Sequence, residues 1–210
     1  MSDDDDLRDG YDRLATRYAD ELGDELDGKP LDRWLLDTVA REAPGELLDV
    51  GCGPGHVSAY LAARGATVRG LDLSPQMIAV AQARVPAARF AVGDLRALPD
   101  EDRSLGGVVA MYALCHLPGP ALAPAIAELA RVVAPGGLLL VAVHAGTDVL
   151  RPDALWDIPI AMSWHFHDPD AVVAAIAATG LAPRERLVRW PYDGAEHASR
   201  RCYVLAQRPR

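Results

Sequence analysis

Three glycines alternate directly after an apolar run that contains an acid, and this stretch is the clearest chemical signal in the sequence. The run is Leu-Leu-Asp-Val at residues 47–50, and the glycines are Gly51, Gly53 and Gly55. Glycine has no Cβ and reaches positive φ at little cost, so a loop rich in glycine lets a ligand touch the backbone. A helical pattern at residues 57–63 would aim its free amide hydrogens at that ligand. The pattern therefore predicts a nucleotide-binding loop at the end of a buried strand.

Three aspartates fall where predicted strands end. Asp49 closes the first strand, Asp72 closes the second and Asp94 follows the third. In an open parallel sheet, the ligand site lies beyond the carboxyl ends of the strands. Asp72 stands 21 residues after Gly51, close to the spacing at which an acid accepts hydrogen bonds from ribose hydroxyls. We therefore expect a nucleoside.

The elements that would position these residues alternate along the chain. Strands are predicted at residues 46–50, 67–72, 89–92, 105–112 and 138–144, with helices at 57–64, 75–84 and 121–133. This alternation predicts an α/β fold, with a parallel sheet and helices on both faces. Near the end, a helix at 169–179 precedes two strand-like runs at 184–190 and 201–207. With no crossover helix between them, these runs must pair antiparallel at the sheet edge.

Two helices are predicted before the first strand. Tyr11, Leu14 and Tyr18 fall at helical spacing, and a second helix begins at Pro30. We interpret residues 9–42 as helices that cap the sheet. The acidic run at residues 3–6 has nothing apolar to fold around, so residues 1–8 are predicted to be a disordered acidic tail.

Length, charge and cysteine usage exclude several classes of protein. A chain of 210 residues suits one domain, and a net charge of -9 argues against a nucleic-acid partner. Cys52, Cys115 and Cys202 are odd in number and far apart, which disfavours a disulfide framework or a structural zinc and fits a reducing cytoplasm. Neither a signal segment nor a membrane span is recognised, so we expect a cytoplasmic protein that does not bind membranes.

The loop departs from the dinucleotide-binding pattern, because GxGxxG would need glycine at His56, whereas Gly55 comes one residue earlier. GxGxG with an acid two residues ahead is typical of class I S-adenosylmethionine-dependent methyltransferases. The chain resembles that superfamily in five blocks, which are LDVGCGPG (48–55), GLDLSPQMI (70–78), VGDLRALP (92–99), VVAMY (108–112) and RVVAPGG (131–137). Residues 11–18 also look like the capping helix of small bacterial members.

The resemblance implies a fold and a cofactor. We expect a Rossmann-like sheet of seven strands in the order 3-2-1-4-5-7-6, with strand seven antiparallel. Residues 9–210 would form a single methyltransferase domain, with an acceptor-side insertion at residues 145–168. The cofactor would be S-adenosylmethionine, which leaves S-adenosylhomocysteine as the product.

Residue roles follow from the same resemblance. Gly51 and Gly53 would contact the methionyl part of the cofactor through their backbone, and Asp49 would neutralise its amino group directly or through water. Asp72 would accept hydrogen bonds from both ribose hydroxyls. The other residues assigned to the cofactor are Leu73 and Met77 on the adenine faces, Asp94 and Leu95 at its edge, and Cys52, Met111 and Tyr18.

The acceptor side carries weaker signals. His116 follows strand four, where the superfamily commonly places acceptor-side residues, and it is either a proton-transfer or orienting residue or a loop histidine. His144 ends strand five and would face the same cleft. Tyr11 would belong to a lid over the cofactor, although core packing of its helix explains it equally well.

Two further clusters keep two interpretations each. In residues 164–167, Trp-His-Phe-His, alternation would place Trp164 and Phe166 on one side as an acceptor wall, or as packing under the insertion. His165 and His167 have few partner carboxylates, so no metal is predicted. The polar cluster at residues 196–201 either anchors an acidic acceptor or is a solvated turn with an ion pair.

The sequence therefore predicts methyl transfer to a small-molecule acceptor by a monomer or homodimer, without nucleic acid or membrane as partner. Two alternatives stay open. One is a protein of the same fold that binds the cofactor without turnover, and the other is a nicotinamide-dependent oxidoreductase, which the GxGxG spacing disfavours.

Overall fold

The computed structural model describes residues 3–193 and 196–210. Its α-helices are α1 (Asp3–Leu22), α2 (Pro30–Glu42), α3 (His56–Ala62), α4 (Pro75–Arg84), α5 (Gly119–Arg131) and α6 (Pro169–Ala178). Short 3-10 helices lie at Glu25–Gly28 and Ala113–His116. Pro30 and Pro75 each occupy the first turn of a helix, where the missing amide hydrogen costs nothing.

A seven-stranded sheet forms the centre of the molecule. Its strands are β1 (Leu47–Val50), β2 (Val68–Asp72), β3 (Arg89–Val92), β4 (Leu105–Met111), β5 (Val133–Ala145), β10 (Ala182–Arg189) and β11 (Arg200–Gln207). They lie in the order β3-β2-β1-β4-β5-β11-β10. All neighbours pair parallel except β11, which is antiparallel to both β5 and β10. The predicted order 3-2-1-4-5-7-6 is therefore confirmed, with β10 and β11 as strands six and seven.

The helices bury both faces of this sheet. Helices α5 and α6 pack on one face through Leu122, Ile126 and Ile176, and α2 and α3 pack on the other through Leu36 and Leu61. The two faces of the central strands are apolar, as β4 shows with six buried residues in succession. A strand covered on both faces consists mostly of apolar residues in succession, which is why the sequence pattern predicts these strands clearly.

Residues 134–137, which lie between the predicted helix at 121–133 and the predicted strand at 138–144, belong instead to β5. Helix α5 already ends at Arg131, and the Gly136 amide donates to the carbonyl of Arg208 just beyond β11. Arg208 donates in return to the Gly137 carbonyl. These hydrogen bonds continue the ladder between β5 and the end of the chain.

The prediction of a disordered tail is wrong for residues 3–8, which form the first turns of α1. Acidic side chains at a helix N-terminus are favoured by the helix dipole. Asp4 also forms an ion pair with Arg96, at 2.7 Å, which the sequence pattern did not indicate. Residues 1 and 2 of the predicted tail, and residues 194 and 195 of the turn before β11, lie outside the described part of the chain.

The segment between β5 and α6 folds into two small antiparallel pairs. Strand β6 (Val149–Leu150) pairs with β9 (Trp164–His165), and β7 (Ala154–Leu155) pairs with β8 (Ile158–Pro159). This segment packs against α1 through Leu14, Ile160 and Met162. Within residues 3–193 and 196–210, no helix has the length and apolar character needed to cross a membrane.

Candidate active site

A cavity of about 750 Å³ opens beyond the carboxyl ends of the central strands. The loop after β1 and the ends of β2, β4 and β5 form its floor, while α1 and residues 150–156 cover it. This is the place where an open α/β sheet binds ligands. Most of the predicted site residues line it, and in addition to those discussed below they include Tyr18, Leu73, Met77, Leu95 and Met111.

The glycine loop has the backbone that only glycine adopts easily. Gly51, Gly53 and Gly55 have φ of 65°, 52° and 86°. A Cβ at Gly51 would lie 2.6 Å from the Cβ of Ala113, whereas a Cβ at Gly53 would meet only Tyr18, at 4.0 Å. Gly51 is therefore required for the close approach of two chain segments. Gly53 borders the cavity, so a side chain there would enter the space for a ligand.

Asp72, at the end of β2, is held by the same loop. Its Oδ2 accepts a hydrogen bond from the Gly53 amide at 2.8 Å, and its Oδ1 accepts one from the Ser74 amide at 2.9 Å. Burial raises the pKa of Asp72, and these backbone hydrogen bonds oppose the increase. The two amides fix the orientation of a carboxylate that faces the cavity.

Asp49 and Cys52 lie behind the loop. The buried Asp49 carboxylate accepts a hydrogen bond from the Ser58 hydroxyl at 2.7 Å, and burial raises its pKa to about 6. The Cys52 thiol packs beside Gly70, where an added Cβ would lie 2.7 Å from the sulfur. Neither residue is among the described residues that line the cavity. Their contact with the cofactor stays a prediction, and the geometry gives Asp49 a structural role at the start of α3.

Asp94 faces the cavity, and its carboxylate already accepts hydrogen bonds from a neighbouring side chain. Arg96 donates to both carboxylate oxygens of Asp94, with distances of 2.6 to 3.0 Å. The same guanidinium reaches Asp4 on α1 at 2.7 Å. These bonds lower the pKa of Asp94 against the opposing effect of burial. A ligand amine that bound Asp94 would have to compete with Arg96.

Tyr11, His116 and Ser163 form a chain of hydrogen bonds across the cavity wall. The Tyr11 hydroxyl lies 2.7 Å from His116 Nε2, and His116 Nδ1 lies 2.8 Å from the Ser163 carbonyl oxygen. A carbonyl only accepts, so Nδ1 carries the hydrogen and Nε2 accepts from the tyrosine hydroxyl. The basic nitrogen of His116 is therefore occupied by Tyr11.

Burial keeps this pair neutral. It lowers the pKa of His116 to about 4 and raises the pKa of Tyr11 well above its ordinary value. Trp164 packs against His116, with ring centroids 5.2 Å apart. His116 thus lines the cavity, as a proton-transfer or orienting residue would. It also connects α1 to the loop after β4 through its hydrogen bond with Tyr11, as a structural loop histidine would.

His144 and Phe166 form a flat wall of the cavity. Their rings stack with centroids 5.1 Å apart and planes at 17°. His144 Nδ1 lies 2.8 Å from the Ser199 hydroxyl. Burial, and then the positive charge of Arg201, lower the pKa of His144 to about 3. Trp164 and Phe166, the residues of the predicted acceptor wall, both line the cavity, and their contact with an acceptor stays a prediction.

Charged side chains that the sequence did not single out occupy one end of the cavity. Lys29 is 5% exposed, with its Nζ 2.6 Å from Glu25 Oε2. Glu25 Oε1 in turn lies 3.1 Å from His56 Nε2. In the sequence Lys29 marks only the start of a helix, and its burial depends on contacts between distant segments, which no local pattern reveals.

The cluster at residues 196–201 is solvated only in part. The Glu196 side chain is 1% exposed and accepts two hydrogen bonds from Arg189, at 2.6 and 2.9 Å. Arg201 is 3% exposed and lines the cavity. The interpretation as a solvated turn with an ion pair therefore fails for Glu196 and Arg201, whereas His197 and Arg200 are exposed, as it expected, and Glu196 does form an ion pair with Arg189.

His165 and His167 do not converge. His167 Nε2 lies 3.0 Å from the Leu114 carbonyl, to which it donates, while His165 lies near the Ser163 hydroxyl. Within the described ranges, no group of three His, Cys, Asp or Glu side chains is arranged to hold a metal ion. Cys115 is buried, which raises its pKa to about 12 and keeps it a thiol.

Sequence comparisons identify relatives of the part of the chain that builds this cavity. A family model described as "Methyltransferase domain" matches residues 47–137. A trans-aconitate 2-methyltransferase from Methylobacterium radiotolerans is 41% identical over 130 residues, which cover 61% of this chain and 46% of the relative. A demethylmenaquinone methyltransferase from Renibacterium salmoninarum is 36% identical over 135 residues, 63% of this chain and 56% of the relative. The match thus spans about half the length of these relatives.

The whole fold also resembles solved structures. One is the 1,6-didemethyltoxoflavin-N1-methyltransferase of Burkholderia thailandensis, solved with 1,6-didemethyltoxoflavin and S-adenosylhomocysteine bound. It superposes with a TM-score of 0.74 and 20% sequence identity, and the match covers 98% of this chain and 88% of that one. At this identity the likeness concerns the fold.

Proposed function

We propose that this chain, whose residues 47–137 match a family model described as a methyltransferase domain, is a class I methyltransferase that transfers the methyl group of S-adenosylmethionine to a small-molecule acceptor. The observation that carries the proposal is the joining of Gly53 and Asp72 by a hydrogen bond of 2.8 Å at the floor of the cavity. A glycine that leaves room for a ligand and a fixed carboxylate at the end of β2 are the two features that a nucleoside cofactor needs.

The nucleoside would occupy the end of the cavity that contains Asp72. Asp72 would accept hydrogen bonds from the ribose hydroxyls, and Leu73 and Met77 would cover the adenine faces. Asp94 and Leu95 would meet the adenine edge, with Arg96 displaced from Asp94. Apolar surfaces with a few fixed polar groups are typical of such sites.

The methionyl part would lie over Gly51 and Gly53. Glu25 and Lys29 face the cavity beside this loop, and they carry the two charges that complement an ammonium and a carboxylate. We therefore assign the amino group to Glu25 in place of the buried Asp49. Tyr18 and Met111 would border the same region.

When bound, S-adenosylmethionine supplies a methyl group on a positively charged sulfur. The protein contributes alignment of the acceptor and exclusion of water, which are large effects in a displacement that needs no further functional group. The Tyr11 hydroxyl would face the part of the cavity that is left for the acceptor, and His116 would orient that hydroxyl through Nε2. An acceptor that is already ionised would need no base, which agrees with the low pKa of His116.

A small acceptor is supported by the size of the cavity and by its cover. The segment 146–168 and α1 close over a space of about 750 Å³, which is in the range of small-molecule sites. Trans-aconitate and 1,6-didemethyltoxoflavin, named in the relative and the solved structure above, are small molecules as well.

Calorimetric titration tests the proposal. We expect S-adenosylhomocysteine and S-adenosylmethionine to bind with one site per chain, and NAD to bind at least 100-fold more weakly. Binding of NAD without binding of S-adenosylhomocysteine would refute the proposal in favour of an oxidoreductase. Release of S-adenosylhomocysteine from S-adenosylmethionine in the presence of an acceptor then separates an enzyme from a protein that only binds the cofactor.

A further inference from the structure

Arg201 is a buried cation on the acceptor side of the cavity. It lies on β11 opposite His144 of β5, and only 3% of its surface is exposed. Burying a guanidinium is costly unless hydrogen bonds and an opposite charge compensate for the lost water. The contacts of Arg201 therefore indicate what it is placed to bind.

The hydrogen bonds of Arg201 use one end of its guanidinium. Nη1 donates to the His197 carbonyl at 3.2 Å, to the Ser199 hydroxyl at 2.7 Å and to the Ser199 carbonyl. Within residues 3–193 and 196–210, Nε and Nη2 make no hydrogen bond. These three acceptors fix the plane of the guanidinium and leave its Nε–Nη2 edge without hydrogen bonds. This is the edge that pairs with a carboxylate in two parallel hydrogen bonds.

The neighbouring Glu196 forms an ion pair with Arg201 but accepts no hydrogen bond from it. Glu196 Oε1 lies 3.8 Å from Arg201 Nε, beyond hydrogen-bond distance. Glu196 is already bound by Arg189 and by the Tyr192 amide. Lys29, the cation assigned above to the methionyl part of the cofactor, has its own partner in Glu25. A carboxylate on a ligand would supply the hydrogen-bond acceptors that the Nε–Nη2 edge lacks.

The surroundings of Arg201 also constrain the shape of that ligand. The stacked rings of His144 and Phe166 line the cavity next to it, and the Tyr112 ring lies 5.8 Å from its Cζ. Flat rings of this kind accept a planar or unsaturated group by stacking.

We propose that Arg201 determines acceptor specificity by binding a carboxylate of the acceptor, so that the substrates of this enzyme are planar or unsaturated carboxylic acids. This inference rests on the proposed function. The methionyl group of S-adenosylmethionine also carries a carboxylate, so the cofactor is the second possible source of a carboxylate for Arg201. Arg201 lies on β11, two strands beyond β4 in the sheet, on the side of the wall formed by His144 and Phe166. This position favours the acceptor as the source of the carboxylate.

The test uses a matched pair of probes, 4-fluorobenzoate and its neutral counterpart 4-fluorobenzamide, titrated into the protein and followed by fluorine NMR. The protein is saturated with S-adenosylhomocysteine beforehand. We expect the benzoate to bind the wild type at least 10-fold more tightly than the benzamide. Arg201→Gln should abolish this preference. Arg200→Gln, which removes the same charge from an exposed position on the same strand, should retain it.

A second variant covers the case in which Arg201→Gln does not fold. Arg201→Lys keeps the charge but loses the planar edge, so we expect it to keep a reduced preference for the benzoate. Equal binding of both probes by the wild type, or an unchanged preference in both Arg201 variants, would overturn the inference.

Titration of S-adenosylhomocysteine and of its decarboxylated analogue separates the two sources of the carboxylate. If Arg201 binds the acceptor, Arg201→Gln leaves the affinity for both within about 2-fold. If it binds the methionyl carboxylate, only S-adenosylhomocysteine loses affinity, and the inference is wrong. Failure of the wild type to bind S-adenosylhomocysteine at all contradicts the proposed function instead, and the probe titration without it still measures the carboxylate preference.

Discussion

Asp72 is the residue whose removal should affect cofactor binding most directly. Its carboxylate faces the cavity and is oriented by the Gly53 and Ser74 amides. We expect Asp72→Ala to weaken the binding of S-adenosylhomocysteine by about 10- to 100-fold, or about 1.5 to 3 kcal/mol, because hydrogen bonds to a charged acceptor are lost. Calorimetric titration measures this change.

Asp12→Ala provides the matched control for Asp72→Ala. Asp12 also accepts a backbone amide hydrogen at the start of α4, from Gln76 at 3.0 Å, but it is not among the residues described as lining the cavity. The control variant should lose stability and keep its affinity for S-adenosylhomocysteine within about 3-fold. An affinity unchanged in Asp72→Ala would disprove its role at the ribose.

His116 should make stability depend on pH. Its pKa in the folded protein is about 4, below the ordinary value of about 6.5 in an unfolded chain. Between these values the unfolded chain binds more protons, so stability decreases as the pH falls. This one residue should cost the wild type about 2 kcal/mol between pH 7 and pH 5. His116→Asn, which can still donate to the Ser163 carbonyl, should remove that dependence.

Urea unfolding of both proteins at pH 5, 7 and 8 measures this effect. Asp49, whose raised pKa acts in the opposite direction, is present in both and cancels in the comparison. Between pH 7 and pH 8 the two proteins should change equally, which serves as the internal control. Parallel curves down to pH 5 would show that His116 is protonated in the folded state.

At the scale of elements, the glycine loop offers a pair of positions that separate folding from binding. Gly53 has φ of 52° and borders the cavity, while Gly65 has φ of 81° and no atom within 4 Å of an added Cβ. Alanine at either position costs about 1 kcal/mol of stability, because an L-residue resists positive φ. Only Gly53→Ala also places a methyl group in the ligand space.

We therefore expect Gly53→Ala and Gly65→Ala to lose similar stability in urea unfolding. Gly53→Ala should weaken the binding of S-adenosylhomocysteine at least 10-fold, and Gly65→Ala should leave it unchanged. Equal affinity in both variants would mean that the cofactor does not pass over Gly53.

The elements themselves were largely predictable, and their contacts were not. Strands β1 and β4 are rich in apolar residues and almost wholly buried, so their positions and the sheet order follow from the sequence pattern and the family resemblance. The prediction for residues 3–8 is wrong because the local pattern shows no partner for their acidic side chains, whereas in the fold Asp4 pairs with Arg96, 92 residues away. For Asp49, the pattern does not show the hydrogen bond that it accepts from Ser58 on α3.

For the whole molecule, the two ends of the cavity differ in how far they could be predicted. The end proposed for the nucleoside is built from residues close in sequence to the glycine loop and to Asp72, and local motifs identify them. The end proposed for the acceptor combines α1, the segment 146–168 and β11, three parts that meet only in the folded chain. Arg201 and Lys29 become recognisable as buried cations only there, in a molecule whose net charge is -9.

A crystal structure of the protein with S-adenosylhomocysteine tests the central claim most directly. The account predicts ribose hydroxyls within hydrogen-bond distance of Asp72, the homocysteine chain over Gly53, and the sulfur directed toward the chamber formed by Tyr11, His144 and Phe166. A ligand bound outside this cavity, or one whose ribose lies away from Asp72, would contradict the account.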